Sequence, residues 1–300
     1  MGILNGIFRV RRENPDLHCG EDLLFQGRYE EAIPFFENVL EDEAENIHAL
    51  SGIALCLEHL GRYEDAIRAY HIIIAIDSEN SDARMGLAIC LEKTIRFEDA
   101  LLWYRKDLKR SPKAPDIQAG IGRCLSGLEQ YQEAITYFDS AIRENPDYLD
   151  AWSGKGNTLF RMGRFEDAAN CYEKILEIHY ENAKTWGVLG KCLSHLGRFE
   201  QAMTCFDKAT ALDPGNSNAW FEKGLCLAGW RRNDEAIHAY DHVLAIDPEC
   251  GVAYYEKGYC LEILGKEEPA GECYEKARSC GYFAFQSRVQ YQYINGYSFY

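Results

Sequence analysis

Long apolar runs are missing from this chain: nowhere do its 300 residues stay apolar over the length that a bilayer span needs. Proline is scarce, at 8 residues, and the 25 glycines keep no three-residue period, which excludes collagen-like and linker-rich architectures. Basic residues are in deficit, 32 against 48 acidic ones, for a formal net charge of −16. Such a chain repels nucleic-acid backbones and anionic membrane surfaces and favours neutral or basic partners. Catalytic signatures are absent as well: there is no nucleophile elbow, kinase set or dinucleotide fingerprint. The twelve cysteines include no C-x-x-C pair. Met1-Gly2-Ile3-Leu4-Asn5-Gly6 has no secretory pattern, and Gly6 stands where a myristoylation signal needs Ser or Thr. The expectation is a cytoplasmic protein with no catalytic residue, no metal, no cofactor and no nucleic-acid or membrane partner.

What the chain does have is a period. Alanine recurs at Ala32, Ala66, Ala100, Ala134, Ala168, Ala202, Ala236 and Ala270, every 34 residues without an insertion. Twelve residues before each stands a small residue: Gly20, Ala54, Ala88, Gly122, Gly156, Gly190, Gly224, Gly258. Nine residues before each is a leucine, from Leu23 to Leu261. Four residues after each is an aromatic: Phe36, Tyr70, Tyr104, Phe138, Tyr172, Phe206, Tyr240, Tyr274. Each period holds two helix-length apolar segments split by a breaker. Gly27, Gly61, Gly163, Gly197 and Gly265 stand where the first segment ends, as left-handed helix caps require. Acidic pairs such as Glu64-Asp65 and Glu166-Asp167 then fall in the first turn of the second helix, where they suit the helix dipole.

A 34-residue period with this pattern, best displayed by Trp152, Gly156, Gly163-Arg164-Phe165, Ala168 and Tyr172, resembles the tetratricopeptide repeat family. The resemblance implies an all-α fold: a right-handed superhelical α-solenoid of eight helix-turn-helix units with a C-terminal capping helix. The units run 13–46, 47–80, 81–114, 115–148, 149–182, 183–216, 217–250 and 251–284. Residues 1–12 form an N-terminal extension. In residues 285–300 Phe285, Val289 and Tyr293 share one helical face, followed by an aromatic tail of Tyr297, Phe299 and Tyr300. The glycine-rich regularity is closer to bacterial or archaeal arrays than to eukaryotic co-chaperones. Departures from the pattern should loosen some units. Pro34 lies inside a second helix, and Ile95, Glu129 and Arg231 replace the mid-unit glycine. Gly156 and Ala168 are expected to form the close contact between the two helices of a unit.

Three chemical signals have plain structural explanations. Cys56, Cys90, Cys124, Cys192, Cys226 and Cys260 share one position in the repeat, as do Cys171, Cys205 and Cys273. Equivalent residues of stacked helices are too far apart for disulfides, so these are small buried side chains in a reducing compartment. His238 and His242 have metal-binding spacing, but Ala239 breaks the zinc-protease pattern, and both should face outward. Gly190-Lys191-Cys192 lacks the rest of a phosphate loop and lies within a helix.

The resemblance implies a non-catalytic scaffold or adaptor that binds a protein or peptide segment in a concave groove lined by positions 2, 5, 6, 9, 12 and 13 of each unit. These positions place Glu58, Asp82, Glu92, Asp116 and Asp150 on the rim. They place Arg123, Asn157, Arg161, Lys184, Lys191 and His195 in the middle, and Asn218, Phe221, Glu222, Tyr255 and Tyr259 further on. Glycine at position 6 in four units (Gly52, Gly86, Gly120, Gly154) should leave room for a ligand backbone. Co-chaperone members hold a C-terminal carboxylate with a Lys/Asn/Asn/Lys/Arg set. Here Lys184 matches, Arg123 replaces an asparagine, and Ala119, Gly154 and Val188 break the set. A different anionic anchor of Arg123, Asn157, Lys184 and Lys191 remains open. Two alternatives are a solenoid that self-associates through its ends or aromatic tail as a homo-oligomer, and an RNA-binding helical repeat. The net charge weighs against the second.

Overall fold

The computed structural model describes residues 14–283. The expected N-terminal extension, the capping helix and the aromatic tail lie outside the described residues. Within them the chain is all-α, with sixteen helices in eight pairs. These are α1 (Pro15–Phe25), α2 (Tyr29–Asp42), α3 (Ile47–His59), α4 (Tyr63–Ile76), α5 (Ser81–Lys93), α6 (Phe97–Leu108), α7 (Pro115–Gly127) and α8 (Tyr131–Glu144). They continue with α9 (Leu149–Arg161), α10 (Phe165–Ile178), α11 (Ala183–His195), α12 (Phe199–Leu212), α13 (Ser217–Gly229), α14 (Asn233–Ile246), α15 (Gly251–Ile263) and α16 (Glu267–Ser279). Odd-numbered helices are the first of a pair and even-numbered ones the second. The chain divides into two compact units, residues 1–154 and 155–300, each taken by itself below.

The helix ends follow from their capping chemistry. Asn46, Asn80, Asn182 and Asn216 each accept a hydrogen bond from the backbone N–H three residues on, at 2.9–3.1 Å. Such caps are worth about 1 kcal/mol each. Asn14 caps α1 in the same manner, so that helix starts at Pro15, two residues into its unit. The turn inside each unit needs one residue in the left-handed region. Gly61, Gly163 and Gly265 take it at φ 73°. Ile95, Glu129 and Arg231 take it too, all at φ 62°. Their turns keep the bonds of the glycine turns: Arg96 N–H reaches the Leu91 carbonyl at 2.8 Å, as Arg62 N–H reaches Leu57 at 2.8 Å. The replaced glycines therefore leave the turn's shape intact and add backbone strain, greatest for branched Ile95. Helix α2 runs on through Pro34, which forgoes one hydrogen bond.

The repeat columns form the core. Seven of the eight period alanines are 0% exposed and Ala270 is 3% exposed. The small-residue column has a different role from the expected contact with alanine. A Cβ added at Gly156 would stand 2.9 Å from Cζ of Tyr172, and one at Gly122 would stand 2.8 Å from Cε1 of Phe138. This column receives the aromatic ring of its own unit. The same rings also occupy the space at position 6 of the next unit. A Cβ at Gly120 would come within 2.5 Å of Tyr104, and those at Gly52, Gly86 and Gly154 would meet Phe36, Tyr70 and Phe138 still closer. The room expected for a ligand backbone is filled by protein. Phe36, Tyr70, Tyr104 and Phe138 are therefore each held between two units, which helps those units stack. Tyr274, whose unit is the last among the described residues, is only half-buried.

A second register device sits at position 4. Arg84, Gln118, Trp152, Trp186 and Trp220 each donate to the carbonyl six residues earlier, at 2.7–3.1 Å. Arg84 does so from a buried site, 1% exposed, and is neutralised there by Asp107 at 2.6 Å.

Candidate functional site

First helices touch the next first helix across a unit boundary, α3 with α5 and α5 with α7, then α11 with α13 and α13 with α15. Within each compact unit they form a layer whose outward side chains are not consumed by the core. In the first compact unit this layer carries Leu55, Met85 and Ile89, all half-buried, among the carboxylates. Glu58 and Glu92 are held by the ring column: Tyr70 donates its hydroxyl to Glu58 at 3.0 Å, and Tyr104 to Glu92 at 3.2 Å. Arg123 lies across Glu92 as a two-pronged ion pair, Nε to Oε1 at 2.6 Å and Nη2 to Oε2 at 3.0 Å. Burial alone would pull the Arg123 guanidinium down, but Glu92 outweighs it and raises it. Burial pushes Glu58 above the usual carboxylate range, against the opposing pull of Tyr70, His59 and Lys93.

In the second compact unit, Asn157 is exposed and accepts the Tyr172 hydroxyl at 2.8 Å. Lys191 bonds Glu222 at 2.6 Å and its ammonium stands 5.7 Å from the Phe160 ring centroid. His195 stacks on Phe165 with centroids 4.3 Å apart. Burial, followed by the Lys191 charge, holds its imidazole down at about 4, so it is neutral at physiological pH. Arg161, Lys184 and Asn218 are exposed, while Tyr259 is half-buried. Tyr255 is half-buried between Tyr274 and Tyr282, each at 5.4 Å. The anionic anchor considered from the sequence thus divides between the two units. Arg123 is in the first, with its charge spent on Glu92. Asn157, Lys184 and Lys191 are in the second, with Lys191 spent on Glu222.

Pairing across units was not apparent from single positions. Residues 31 apart, position 12 of one unit and position 9 of the next, meet as Glu92–Arg123 and as Phe160–Lys191. A usable sequence signal was the choice of Tyr over Phe in the ring column. Tyr70, Tyr104 and Tyr274 find a glutamate twelve residues earlier, and Tyr172 finds Asn157. Phe36, Phe138 and Phe206 have Leu24, Ser126 and Ser194 there.

The other candidates are structural. The nine column cysteines are buried free thiols; burial pushes Cys192 and Cys260 up to about 12 and leaves them unreactive. His238 and His242 are exposed, and His242 stacks on Trp220 at 4.0 Å. Among the described residues no group of His, Cys, Asp or Glu is arranged to hold a metal ion. No helix among them is long and apolar enough to cross a membrane.

Paired helices of fixed length, stacked through a shared ring column with one face left to their first helices, define a helical-hairpin repeat protein. The chain belongs to the tetratricopeptide repeat family, whose sequence profiles match residues 23–75, 60–115, 125–180, 159–222, 217–250 and 252–277. Among solved structures, it is similar to a tetratricopeptide repeat protein from Parabacteroides merdae (15% identity, TM-score 0.61, covering 85% of this chain and 96% of that one). It is also similar to YrrB, described as a TPR protein with an unusual peptide-binding site (24% identity, TM-score 0.50, covering 59% and 91%). The Cut9–Hcn1 hetero-tetramer of APC/C is a further match (17% identity, TM-score 0.54, covering 84% and 49%). No curated protein sequence matches the chain.

Proposed function

We propose that the chain is a non-catalytic scaffold that binds a peptide or protein segment along the face formed by its first helices. One observation carries this reading. The core consumes the ring, alanine and leucine columns, while Leu55, Met85, Ile89, Asn157, Lys184, Asn218, Tyr255 and Tyr259 stay accessible or half-buried on the first-helix layer. Within each compact unit, a mixed apolar and polar strip along stacked helices suits an extended segment, with apolar contacts for affinity and fixed polar groups for register. The similarity to YrrB, a TPR protein with an unusual peptide-binding site, supports the same reading.

Within the strip, Asn157, Arg161, Lys184 and Asn218 are proposed as polar contacts, and Tyr255 and Tyr259 as aromatic ones. Arg123, Lys191 and His195 are proposed as supports, since their charges or rings are already engaged. Selection of binders from a displayed random-peptide library tests the reading. Peptides whose affinity falls about tenfold or more with Asn157→Ala/Lys184→Ala or with Tyr259→Ala, and is unchanged by substitutions at His238 and His242, support it. Binders indifferent to all first-helix substitutions contradict it.

A further inference from the structure

Glu58 and Glu92 occupy the same position in consecutive units, and the chain treats them differently. Each carboxylate is fixed by a tyrosine hydroxyl twelve residues on, at 3.0 and 3.2 Å. Each faces a thiol or guanidinium from the following first helix. Above Glu92 stands Arg123, 31 residues on, which neutralises it with two hydrogen bonds. The residue 31 positions after Glu58 is Ile89, which has no donor. What reaches Glu58 from α5 is the Cys90 Sγ, 4.0 Å from Oε2, a weak donor. His59 on its own helix and Lys93 on α5 are the basic side chains that act on it electrostatically. Both are exposed, and among the described residues Glu58 makes no ion pair. A carboxylate withdrawn from water without a counter-charge is costly, and a cation delivered to it gains more than it would at an open surface.

The surroundings define the chemistry of that cation. Half-buried Leu55, Met85 and Ile89 lie on the same two helices as Glu58 and its Cys90 neighbour, and offer apolar surface suited to the methylene stem of a long side chain. Asp82 acts on the Tyr70 hydroxyl together with Glu58, so it belongs to the same neighbourhood. The face continues with Asp116 and Asp150, both exposed. Within this compact unit, Arg123 is the internal example of how such a carboxylate is satisfied.

We propose that the first-helix face of α3 and α5 binds a basic peptide, seating a Lys or Arg side chain on Glu58 as Arg123 is seated on Glu92. This rests on the groove reading above and gives its partner a charge. The partner is a segment carrying cationic side chains between small apolar ones.

Fluorescence anisotropy with labelled peptides of equal length tests it, each peptide sharing one Ala/Leu frame and carrying Lys, Gln or Glu at the same positions. The Lys peptide should bind most tightly and lose affinity with added salt. Glu58→Gln should weaken it on the order of tenfold and leave the Gln peptide unchanged. Ile89→Arg should fill the seat from within the chain and weaken the Lys peptide as strongly. Arg123→Ile should open Glu92 as a second seat and strengthen that peptide. Far-ultraviolet circular dichroism identifies any variant that fails to fold, and the near-isosteric Glu58→Gln keeps the test decisive if Ile89→Arg does. Equal binding of the three peptides, or a Lys peptide indifferent to Glu58→Gln, overturns this inference while leaving the groove reading standing. Binding of none of the three overturns both.

Discussion

The units before residue 154 and those after it share a backbone pattern but finish the ring column differently. Before it, the rings of Phe36, Tyr70, Tyr104 and Phe138 each press on a glycine of their own or the next unit, and position 6 is glycine in the second to fifth units (Gly52, Gly86, Gly120, Gly154). Beyond it, position 6 is Val188, Glu222 and Glu256, and the glycine contact comes only from the ring's own unit, as at Gly190 with Phe206 and Gly224 with Tyr240. The earlier arrangement leaves a first-helix face whose chemistry is set by carboxylates on tyrosine hydroxyls. The later one places a charged side chain on that face, and Glu222 is then met by Lys191 at 2.6 Å. Small residues decide where the rings go, and the rings decide which polar groups are left for a partner.

The largest effect should come from the position-4 donor, which differs between the regions. Arg84→Ala removes the counter-charge of buried Asp107 and should cost about 3–5 kcal/mol in denaturant unfolding. Later units achieve the same backbone bond with tryptophan and place Ala209 or Val243 where Asp107 stands. The double variant Arg84→Trp/Asp107→Val should therefore recover most of the loss. Failure to recover would mean that the two regions are not interchangeable at this position.

Glycine substitutions sharpen the comparison directly. Gly120→Ala puts a Cβ 2.5 Å from the Tyr104 ring and should destabilise by about 1–3 kcal/mol. Gly187→Ala, in the later region, meets nothing nearer than the Ala209 Cβ at 4.0 Å and should stabilise by about 0.5–1 kcal/mol. The same sign for both in thermal unfolding would break the comparison. Ile95→Gly relieves a strained turn and should stabilise by up to about 1 kcal/mol, because part of the gain is offset by the freer unfolded chain.

The last effect is one of pH and is confined to the later region. His195 is held down to about 4 in the folded chain against an ordinary value of 6.5. Its neutral form is the one the fold accommodates. The associated stability is present above 6.5 and is lost as pH falls from 6.5 towards 4. His195→Phe, which keeps a ring beside Phe165, should flatten the acid side of the stability profile over that window. An unchanged profile would show that His195 is not what the acid acts on.

The fold could be read from the sequence because it is written in columns: Ala168, Leu159 and Tyr172 each repeat every 34 residues, and the period alone places two helices per unit. Backbone geometry was legible for the same reason, since Ile95, Glu129 and Arg231 fall at the glycine position and adopt its conformation. The surface was less legible. Position rules put Arg123 and Lys191 on first helices, but they say nothing of the partner 31 residues away that takes up each charge. The glycines at position 6 looked like space because a column shows what is small, not what fills the gap. That assignment requires the distance from Gly120 to Tyr104, which is a property of two neighbouring units and not of one.

Photocrosslinking tests the central claim most directly: a selected binding peptide carrying a photoreactive residue, irradiated on the intact chain and mapped by mass spectrometry. Attachment to the odd-numbered helices, at residues such as Leu55, Met85, Asn157 or Tyr259, is the predicted result. Attachment concentrated on the even-numbered helices would contradict the assignment of the first-helix face as the binding surface.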